Sequence, residues 1–169
     1  FRESTVPVAD RLGRTSIAAM LEADVQTLVH RFYALQSERV EAYHLFEEGH
    51  RAYLRSGPDY DFARYRHLVH EITQAFSGIS REILQIKEQL EGPRGRPDLA
   101  QHLGRLQEKE KEKLELTAQL QLAKQNAQDH PGEEAHPQEV RELKQRLIQT
   151  IEAISEILQD FKYDSEESS

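Results

Sequence analysis

The sequence predicts an all-α protein, a long antiparallel helical hairpin extended into an open, elongated four-helix bundle or coiled coil. Apolar residues recur at alternating steps of three and four, which keeps one side of a helix facing a partner helix. Gly-Pro pairs fall at the ends of two periodic segments, where helices stop. Charged residues make up 31% of the chain and hydrophobic residues 37%, a balance typical of long helices with one exposed face.

The first predicted helix follows an irregular N-terminal segment, residues 1–15, that contains a proline and a glycine. Thr15 or Ser16 is the expected N-cap, since a side-chain oxygen there can accept a hydrogen bond from the first turn. A heptad-like series, interrupted only by an arginine and a glycine, comprises Leu21, Val25, Leu28, Phe32, Leu35, Arg39, Ala42, Phe46, Gly49 and Tyr53. The helix should end at residues 56–58, because the proline there cannot continue it.

The second predicted helix has Asp59 or Asp61 as its N-cap. Its uninterrupted apolar series comprises Phe62, Tyr65, Val69, Ile72, Phe76, Ile79, Ile83, Ile86 and Leu90. Gly92 and Pro93 end this helix. Because the link between the first two helices is short, they should lie antiparallel, with "EEGHRAYLRSGPDYDF" at residues 47–62 forming the tip of the hairpin.

A third helix completes a three-helix region at residues 16–124, and Pro97 suits its first turn. Its apolar residues are Leu99, Leu103, Leu106, Leu116, Leu120 and Ala123. The run "EKEKEK" at residues 108–113 is interpreted as a solvated stretch with pairing between charges four residues apart. This run weakens the apolar seam, so the third helix could pair with a second chain in a homodimer.

The last third of the chain is predicted to contain a linker, a helix and a tail. Residues 125–137 are rich in polar residues, proline and glycine and are predicted to be a flexible linker. Residues 138–162 form the predicted C-terminal helix, followed by an acidic tail at residues 163–169. The apolar stripe of this helix comprises Val140, Leu143, Leu147, Ile148, Ile151, Ile154, Ile157, Leu158 and Phe161.

Composition limits the compartment and the partners. The chain contains no cysteine, which excludes disulfides and thiolate metal sites and fits a reducing nucleus or cytoplasm. The formal net charge of −8 disfavours direct nucleic acid binding, because proteins that hold the DNA backbone usually carry a basic surface. No apolar run reaches the ~20 residues that a membrane-spanning helix needs. We therefore expect protein partners, in the nucleus and/or cytoplasm, and no membrane.

Two groups of histidine and acidic residues are candidates for a metal or catalytic site. Glu47 and His50 have the Glu-x-x-His spacing of di-iron bundles. His67, His70 and Glu71 offer further ligands, and "HEITQ" begins like a zinc-protease motif but has glutamine where the second histidine is required. The heptad register turns the two groups outward and apart. We predict no catalytic, cofactor-binding or metal-binding residue, and no enzyme activity.

The hairpin tip is predicted to carry two sets of residues. Gly49 should admit the second helix near Tyr65, because glycine inside a helix costs ~1 kcal/mol relative to alanine and needs a packing reason. A packing role is predicted for Gly49, Tyr53, Gly57, Pro58, Phe62 and Tyr65. Arginine and tyrosine are enriched at interface hot spots. A positive surface for an acidic partner is predicted at Arg51, Arg55, Tyr60, Arg64 and Arg66.

The same region carries a family resemblance. "EEGHRAYLRSGPDYDFARYRHLVHEITQAF", followed by Ser80, Arg81 and Glu82, closely resembles the required for excision 1-B domain family, and "TIEAISEILQDFKYD" resembles that family's C-terminal end. The resemblance covers residues 25–164 and is looser through the third helix and the linker. It implies a helical, coiled-coil-type protein with a genetic link to excision repair of DNA and no established catalytic activity, and it carries over no ligand residues.

Several functions fit these observations. The first is a non-enzymatic adaptor or scaffold that acts by protein–protein contacts and is linked, through the resemblance, to DNA excision repair. The alternative is a structural coiled-coil subunit of a cytoskeletal or other large assembly, which the heptad seams favour. A direct nucleic-acid binder would use Arg64, Arg66, Arg94 and Arg96. A metal-dependent enzyme would need the histidine groups above.

Overall fold

The computed structural model of the chain describes residues 17–167, which form five α-helices. A short helix precedes four long ones: α1 is Ile17–Glu22, α2 is Val25–Arg55, α3 is Phe62–Glu91, α4 is Pro97–Asp129 and α5 is Ala135–Glu167. Each long helix packs against the next one along the chain, and the short links make each pair antiparallel. The predicted all-α fold of four long antiparallel helices is confirmed. The predicted irregular segment 1–15 and the predicted caps Thr15 and Ser16 lie outside the described residues.

The two ends of the bundle differ in the turns that they carry. The α2–α3 and α4–α5 turns lie at one end, which we call the tip end. The α3–α4 link and the C-terminal end of α5 lie at the opposite end, which we call the base end. A helix of about thirty residues separates these ends by roughly 45 Å. We call α2 with α3 the first hairpin and α4 with α5 the second hairpin.

The start of α2 differs from the prediction, because Asp24 interrupts the helix expected to continue from residue 16. The backbone of Asp24 is extended, and its carboxylate accepts a hydrogen bond from the backbone N–H of Thr27 at 2.8 Å, as an N-cap does. Arg94 donates to the carbonyl of Ala23 at 2.6 Å and also to the carbonyl of Leu21. These bonds fix a bend between α1 and α2. Leu21, predicted as the first seam residue, is consequently exposed.

The α2–α3 turn begins where it is predicted, directly after the last residue of α2. The Ser56 hydroxyl donates to the carbonyl of Tyr53 at 2.6 Å and accepts from the backbone N–H of Asp61 at 3.0 Å. Of the two aspartates predicted as caps, Asp61 has this role, since its carboxylate accepts from the N–H of Arg64 at 3.3 Å. One serine and one aspartate thus satisfy backbone groups on both sides of the turn.

The predicted apolar series of α2 and α3 largely forms the seam between these helices. Its buried members are Leu28, Phe32, Leu35, Arg39, Ala42, Phe46, Tyr53, Ile72, Phe76, Ile79, Ile83, Ile86 and Leu90. Phe62 departs from the prediction and is 59% exposed, because it is the first residue of α3 and lies beyond the last turn of α2. Leu68, outside the predicted series, is buried and lies opposite Gly49.

Arg39 enters this seam as a buried ion paired with Glu110 of α4. Its Nη1 lies 3.4 Å from Glu110 Oε2, and the amide of Gln36 donates to the same oxygen at 2.7 Å. The side-chain carbonyl of Gln107 accepts from Arg39 at 2.8 Å. The interpretation of residues 108–113 as a solvated stretch is therefore wrong for Glu110, which is 7% exposed. Pairing with Arg39 stabilises its charge in this buried position.

The predicted flexible linker 125–137 is largely helical. Helix α4 continues to Asp129 and α5 begins at Ala135, so only residues 130–134 connect them. The continued helices bury apolar surface, because Leu120 and Ala123 of α4 pack in one cluster with Leu143 of α5. Tertiary packing thus extends both helices through a segment whose composition favours a loop.

Helix α5 also runs further than predicted. The predicted helix covers residues 138–162, whereas α5 includes most of the predicted acidic tail at 163–169 and ends at Glu167. The added turns are held at the base end, where Ser165 is buried and its carbonyl accepts a hydrogen bond from the Gln26 amide of α2 at 3.2 Å. This contact satisfies a carbonyl near the end of α5.

The apolar stripe of α5 is narrower than predicted. Leu143, Ile154, Ile157 and Phe161 are buried, as expected for its central positions. Two other members of the predicted stripe, Ile148 and Ile151, are 49% and 41% exposed. They are uncovered because α5 has one main neighbouring helix, α4, which shields only one side of it.

The hydrophobic core is continuous at the base end and divided toward the tip end. At the base end one cluster draws on all five helices, with Met20, Phe32, Ile83, Leu103 and Phe161 among its members. Toward the tip end, one cluster joins α2 to α3, with Leu114 of α4 packed against it, and a separate one joins α4 to α5. The two hairpins thus share a core at the base, and nearer the tip they meet mainly through polar and aromatic groups, with Leu114 as an apolar contact. No helix within residues 17–167 is apolar over a length that would cross a bilayer.

Candidate functional site

Three tyrosines stack at the tip end and close the first hairpin. The ring of Tyr53 on α2 stacks on that of Tyr65 on α3, with centroids 4.4 Å apart, and lies 4.9 Å from the ring of Tyr60 in the turn. The hydroxyl of Tyr65 donates to the side-chain carbonyl of Gln121 on α4 at 2.5 Å. The hydroxyl of Tyr60 donates to Asp129, the last residue of α4. The stack therefore also connects the two hairpins.

Tyr60 therefore differs in position from the arginines with which it was grouped in the prediction. It is half-buried, and the Gln128 amide donates to its hydroxyl at 3.0 Å and to the carbonyl of Leu54 at 2.8 Å. Its hydroxyl already has partners within the chain. Its position is that of a packing residue at the contact between the two hairpins.

Two glycines at the tip leave room for side chains of neighbouring elements. A Cβ atom at Gly49 would overlap Cδ2 of Leu68 and lie 3.2 Å from its Cγ. The second helix does approach Gly49 as predicted, but Leu68, one turn beyond Tyr65, is the residue that fills the space. A Cβ atom at Gly57 would lie 2.9 Å from the ring of Tyr60. Pro58 follows in the turn and is exposed.

His50 is buried, which corrects the prediction that it points outward. Its ring is 4% exposed and lies 6.1 Å from the Tyr53 ring and 5.7 Å from the Tyr65 ring, between centroids. Burial, together with the nearby charge of Lys124, lowers the pKa of His50 to about 4, and a hydrogen bond to the backbone of Gln121 partly opposes this shift. His50 is thus a neutral packing residue at neutral pH.

The other residues of the two candidate metal groups lie apart from His50. Glu47 is exposed on α2, so it does not share a surface with the buried imidazole. His67 and His70 are exposed on α3, and Nε2 of His67 lies 4.0 Å from a carboxylate oxygen of Glu71. These side chains do not converge on one point.

A groove of about 290 Å³ lies at the tip end between α2 and α3. Its floor is apolar and aromatic, formed by residues such as Gly49, Tyr53 and Leu68. Its rim is charged and includes Asp61, Arg64, His67 and Glu71. The groove therefore combines an apolar interior with charged groups at its edge.

The four predicted arginines surround this end of the bundle. Arg51 and Arg55 are exposed on α2, and Arg64 and Arg66 are exposed on α3. Within residues 17–167, the ion pairs between side chains include none of the four. The exposed ring of Phe62 lies at the start of the same turn of α3 as Arg64. The four arginines thus leave exposed positive charge at the tip end.

The positive charge continues onto the second hairpin. Burial lowers the pKa of Lys124 on α4, and the nearby charges of Lys144 on α5 and Arg51 on α2 lower it further, while Glu47 opposes them. Three helices thus bring cationic side chains close to one another. The sequence does not predict a place for Lys124 or Lys144 in this surface, because their proximity to Arg51 depends on how the two hairpins pack.

Arg94 and Arg96, proposed with Arg64 and Arg66 for nucleic-acid binding, lie at the base end. Arg94 donates to backbone carbonyls at the α1–α2 bend. Arg96 forms an ion pair with Asp98 at 2.8 Å. The length of α3 separates these two arginines from those at the tip, so the four do not form one surface.

The α4–α5 turn contains another group of titratable residues, outside the sites predicted from the sequence. His130, Glu133 and His136 bring potential ligand atoms within 4.8 Å of one another. Their His-x-x-Glu-x-x-His spacing is a signal that could have identified them. The loop-forming composition of residues 125–137 masks this signal, because it predicts a flexible linker there.

The fold and the tip define an elongated helical-bundle protein with a grooved, arginine-rich end. Residues 27–124 match the family described as DNA repair REX1-B. The bovine (Bos taurus) required for excision 1-B domain-containing protein is 44% identical over 174 residues, covering 97% of this chain and 94% of its own. The mouse (Mus musculus) protein of the same name is 43% identical over 160 residues, covering 94% and 92%. No solved structure gives a significant match. The chain belongs to the DNA repair REX1-B family.

Proposed function

We propose that this protein is a non-enzymatic helical adaptor that binds an acidic segment of a partner protein at its tip end and acts in DNA excision repair. The principal support is the groove between α2 and α3, which combines an apolar floor with exposed arginines at its end of the bundle. The chain as a whole carries a net charge of −8. A local cationic surface on an acidic protein favours an acidic partner through electrostatic complementarity.

An aromatic or aliphatic side chain of the partner would occupy the groove. The floor offers the Tyr53 ring and Leu68, and the rim offers Arg64 to a carboxylate beside that side chain. Buried apolar anchors supply most binding energy at such surfaces, whereas rim charges mainly affect specificity and association rate. The proposed ligand is therefore an acidic peptide segment with an apolar anchor.

The repair context is supported by the description of the family and by the names of the two mammalian relatives. A protein partner is favoured over direct DNA binding for a physical reason. The tip arginines are few, and Arg94 and Arg96 are engaged in contacts at the opposite end of the bundle. Gel shifts on damaged and intact DNA at low salt test the direct alternative, because phosphate contacts are strongest there.

The tip surface is tested with a labelled acidic peptide that carries one central phenylalanine. In fluorescence anisotropy with EDTA present, Arg64→Glu/Arg66→Glu should bind roughly tenfold more weakly than the wild type, equivalent to about 1.4 kcal/mol. Arg81→Glu/Arg105→Glu is the matched control, since both arginines are exposed and distant from the tip and the net charge is the same. Equal weakening in both variants would show a general charge effect and contradict the proposal.

The repair context needs a separate measurement in cells. Proximity labelling with the wild-type chain, before and after UV treatment, should find repair or chromatin proteins as neighbours. The Arg64→Glu/Arg66→Glu variant should lose a subset of these neighbours, and Arg81→Glu/Arg105→Glu should retain them. An absence of repair and chromatin neighbours for the wild type would reject the repair role.

A structural subunit of a larger assembly is the second proposal. Ile148 and Ile151 favour it, because they leave an apolar strip exposed on α5. A second copy of the chain or another helix could cover this strip. Light scattering tests the homodimer, and a monomer at all accessible concentrations would exclude it. Filament or organelle neighbours in the labelling experiment would favour the assembly role over the adaptor role.

A further inference from the structure

The α4–α5 turn holds three potential metal ligands on a short, well-defined stretch of backbone. His130 is the C-cap residue of α4, Glu133 lies in the turn, and His136 lies in the first turn of α5. Gly132 has a φ angle of 96°, which favours glycine, and the chain reverses there. The turn thus brings two imidazoles and one carboxylate together, with ligand atoms no more than 4.8 Å apart.

The spacing of two of these ligand atoms matches tetrahedral zinc. Nε2 of His136 lies 3.4 Å from Oε2 of Glu133. Two ligand atoms that each lie ~2.0–2.1 Å from Zn²⁺ at a tetrahedral angle are about 3.3 Å apart. A zinc ion could therefore bind both atoms with little movement of either side chain. The ring centroids of His130 and His136 are 5.3 Å apart, so the second imidazole lies near the same point.

His130 is oriented by a hydrogen bond typical of metal-binding histidines. Its Nδ1 lies 3.1 Å from the carbonyl oxygen of Asn126. Because a carbonyl oxygen can only accept, Nδ1 carries the proton and the lone pair lies on Nε2. A hydrogen bond of this kind fixes the ring and makes the other nitrogen a better ligand.

We propose that His130, Glu133 and His136 form a Zn²⁺ site, with a fourth position open to water or to a group from a partner. Imidazole nitrogen favours zinc over calcium and magnesium, which take oxygen ligands. The site is exposed, so the ion can enter without opening the core.

The position of this site gives bound zinc a structural consequence. The residues immediately before it, Gln128 and Asp129, make the contacts to Leu54 and Tyr60 that connect α4 to the α2–α3 turn. An ion held by His130 and by His136 would fix the end of α4 relative to the start of α5. It would thereby support the contact between the two hairpins at the tip end.

The site is tested by titrating the full-length chain with Zn²⁺ against a chromophoric chelator at neutral pH. The wild type should bind one ion per chain. His130→Ala/His136→Ala should bind at least ~10–100-fold more weakly. Mutation of a group that merely orients a metal ligand already costs about that much affinity, so removal of two ligands should cost no less. Glu133→Gln should also bind more weakly while it preserves the shape of the turn. His67→Ala/His70→Ala, which removes two exposed histidines of α3, is the matched control and should bind as the wild type does.

Circular dichroism without metal establishes that each variant is folded. If the double histidine variant is unfolded, the zinc affinity of Glu133→Gln relative to the wild type tests the proposal. An absence of saturable binding to the wild type would overturn the proposal. Equal affinity of the wild type and the turn variants would also overturn it, as would an equal loss in the His67→Ala/His70→Ala control. The peptide experiment above is done in EDTA, so failure here leaves the proposed function unaffected.

Discussion

The buried imidazole of His50 makes folding sensitive to pH. Its pKa is about 4 in the folded chain and its ordinary value is 6.5, so the unfolded chain binds more protons between these two pH values. The stability that the neutral ring contributes is fully present above pH 6.5 and is lost as the pH falls toward about 4. At about 1.4 kcal/mol per pKa unit, the full loss is about 3 kcal/mol.

Replacement of His50 by glutamine should remove this pH dependence. Between neutral pH and about pH 5, the free energy of unfolding of the wild type should fall by about 2 kcal/mol more than that of His50→Gln, because only the wild type has to protonate this ring on unfolding. Urea unfolding of each protein at the two pH values measures the change in its free energy of unfolding. His67→Gln, at an exposed position, should behave as the wild type does. Equal pH dependence in His50→Gln and the wild type would refute this account.

The burial of His50 could not be deduced from the periodicity of α2. A heptad series identifies the face that meets one partner helix, and His50 lies beside that face. Its environment comes from a third helix, since Gln121 and Lys124 of α4 are among its neighbours. The contact of Leu68 with Gly49 could not be deduced for a related reason. Which residue of α3 lies opposite Gly49 depends on the axial offset between the two helices.

At the level of helices, α4 is the element whose sequence was most misleading. Its leucines correctly predicted a buried face, and all six predicted apolar positions are buried. The charged run in its centre looked like a solvated interruption. A single sequence does not reveal that Glu110 faces Arg39, because the two residues lie far apart in the chain and each resembles a break in its own seam. Their pairing appears only when α2 and α4 are packed together.

The Arg39–Glu110 pair should show strong coupling in a double-mutant cycle. Arg39→Met leaves a buried carboxylate without its cation and should lower the free energy of unfolding by about 3–5 kcal/mol. Arg39→Met/Glu110→Met removes both charges and should recover most of that loss. Chemical unfolding of the wild type, both single variants and the double variant measures the coupling energy.

An exposed ion pair provides the control for that cycle. Lys87 and Glu91 lie four residues apart on α3 with N···O at 3.3 Å, and such pairs contribute only about 0.3–0.5 kcal/mol. Their coupling energy should therefore be several-fold smaller. If the losses in Arg39→Met and Glu110→Met simply add in the double variant, the pair does not stabilise the fold as described.

At the scale of the whole molecule, the two hairpins are joined differently at their two ends. The base end has one core shared by all five helices, whereas the tip-end cores are separate. Near the tip, the hairpins meet mainly through hydrogen bonds such as that of Tyr65 with Gln121, and Leu114 of α4 adds one apolar contact with the first hairpin. When two helices separate, water replaces the lost hydrogen bonds, so each contributes little net stability. Separation of an apolar contact exposes buried surface to water and costs more free energy. The hairpins should therefore separate first at the tip end.

The sequence indicated this architecture only in part. Short Gly-Pro links predicted the antiparallel order of the first three long helices, which the structure confirms. The second hairpin was harder to predict, because residues 125–137 have the composition of a loop. Their helical state depends on the packing of Leu120 and Ala123 against Leu143, which adds to weak local preferences.

Two core substitutions, one in the shared core and one in a tip-end core, should have different effects on the opening of the bundle. The Phe161 ring is fully buried at the base end and contacts the rings of Phe32 at 4.9 Å and Tyr33 at 5.8 Å on the first hairpin. Leu143 is buried only between α4 and α5. Phe161→Ala and Leu143→Ala should each cost several kcal/mol, about 3–5 and 2–5 respectively, so loss of stability alone does not distinguish them.

Amide hydrogen exchange distinguishes the two variants when it is measured under conditions that give both the same free energy of unfolding. Phe161→Ala should accelerate exchange in the N-terminal half of α2 as well as in the C-terminal half of α5, because the ring joins those segments. Leu143→Ala should accelerate exchange only in the tip-end halves of α4 and α5 and leave α2 protected. Faster exchange in α2 in both variants would mean that the bundle opens as one unit. We expect α2 to stay protected in Leu143→Ala, because no member of the Leu143 cluster belongs to the first hairpin.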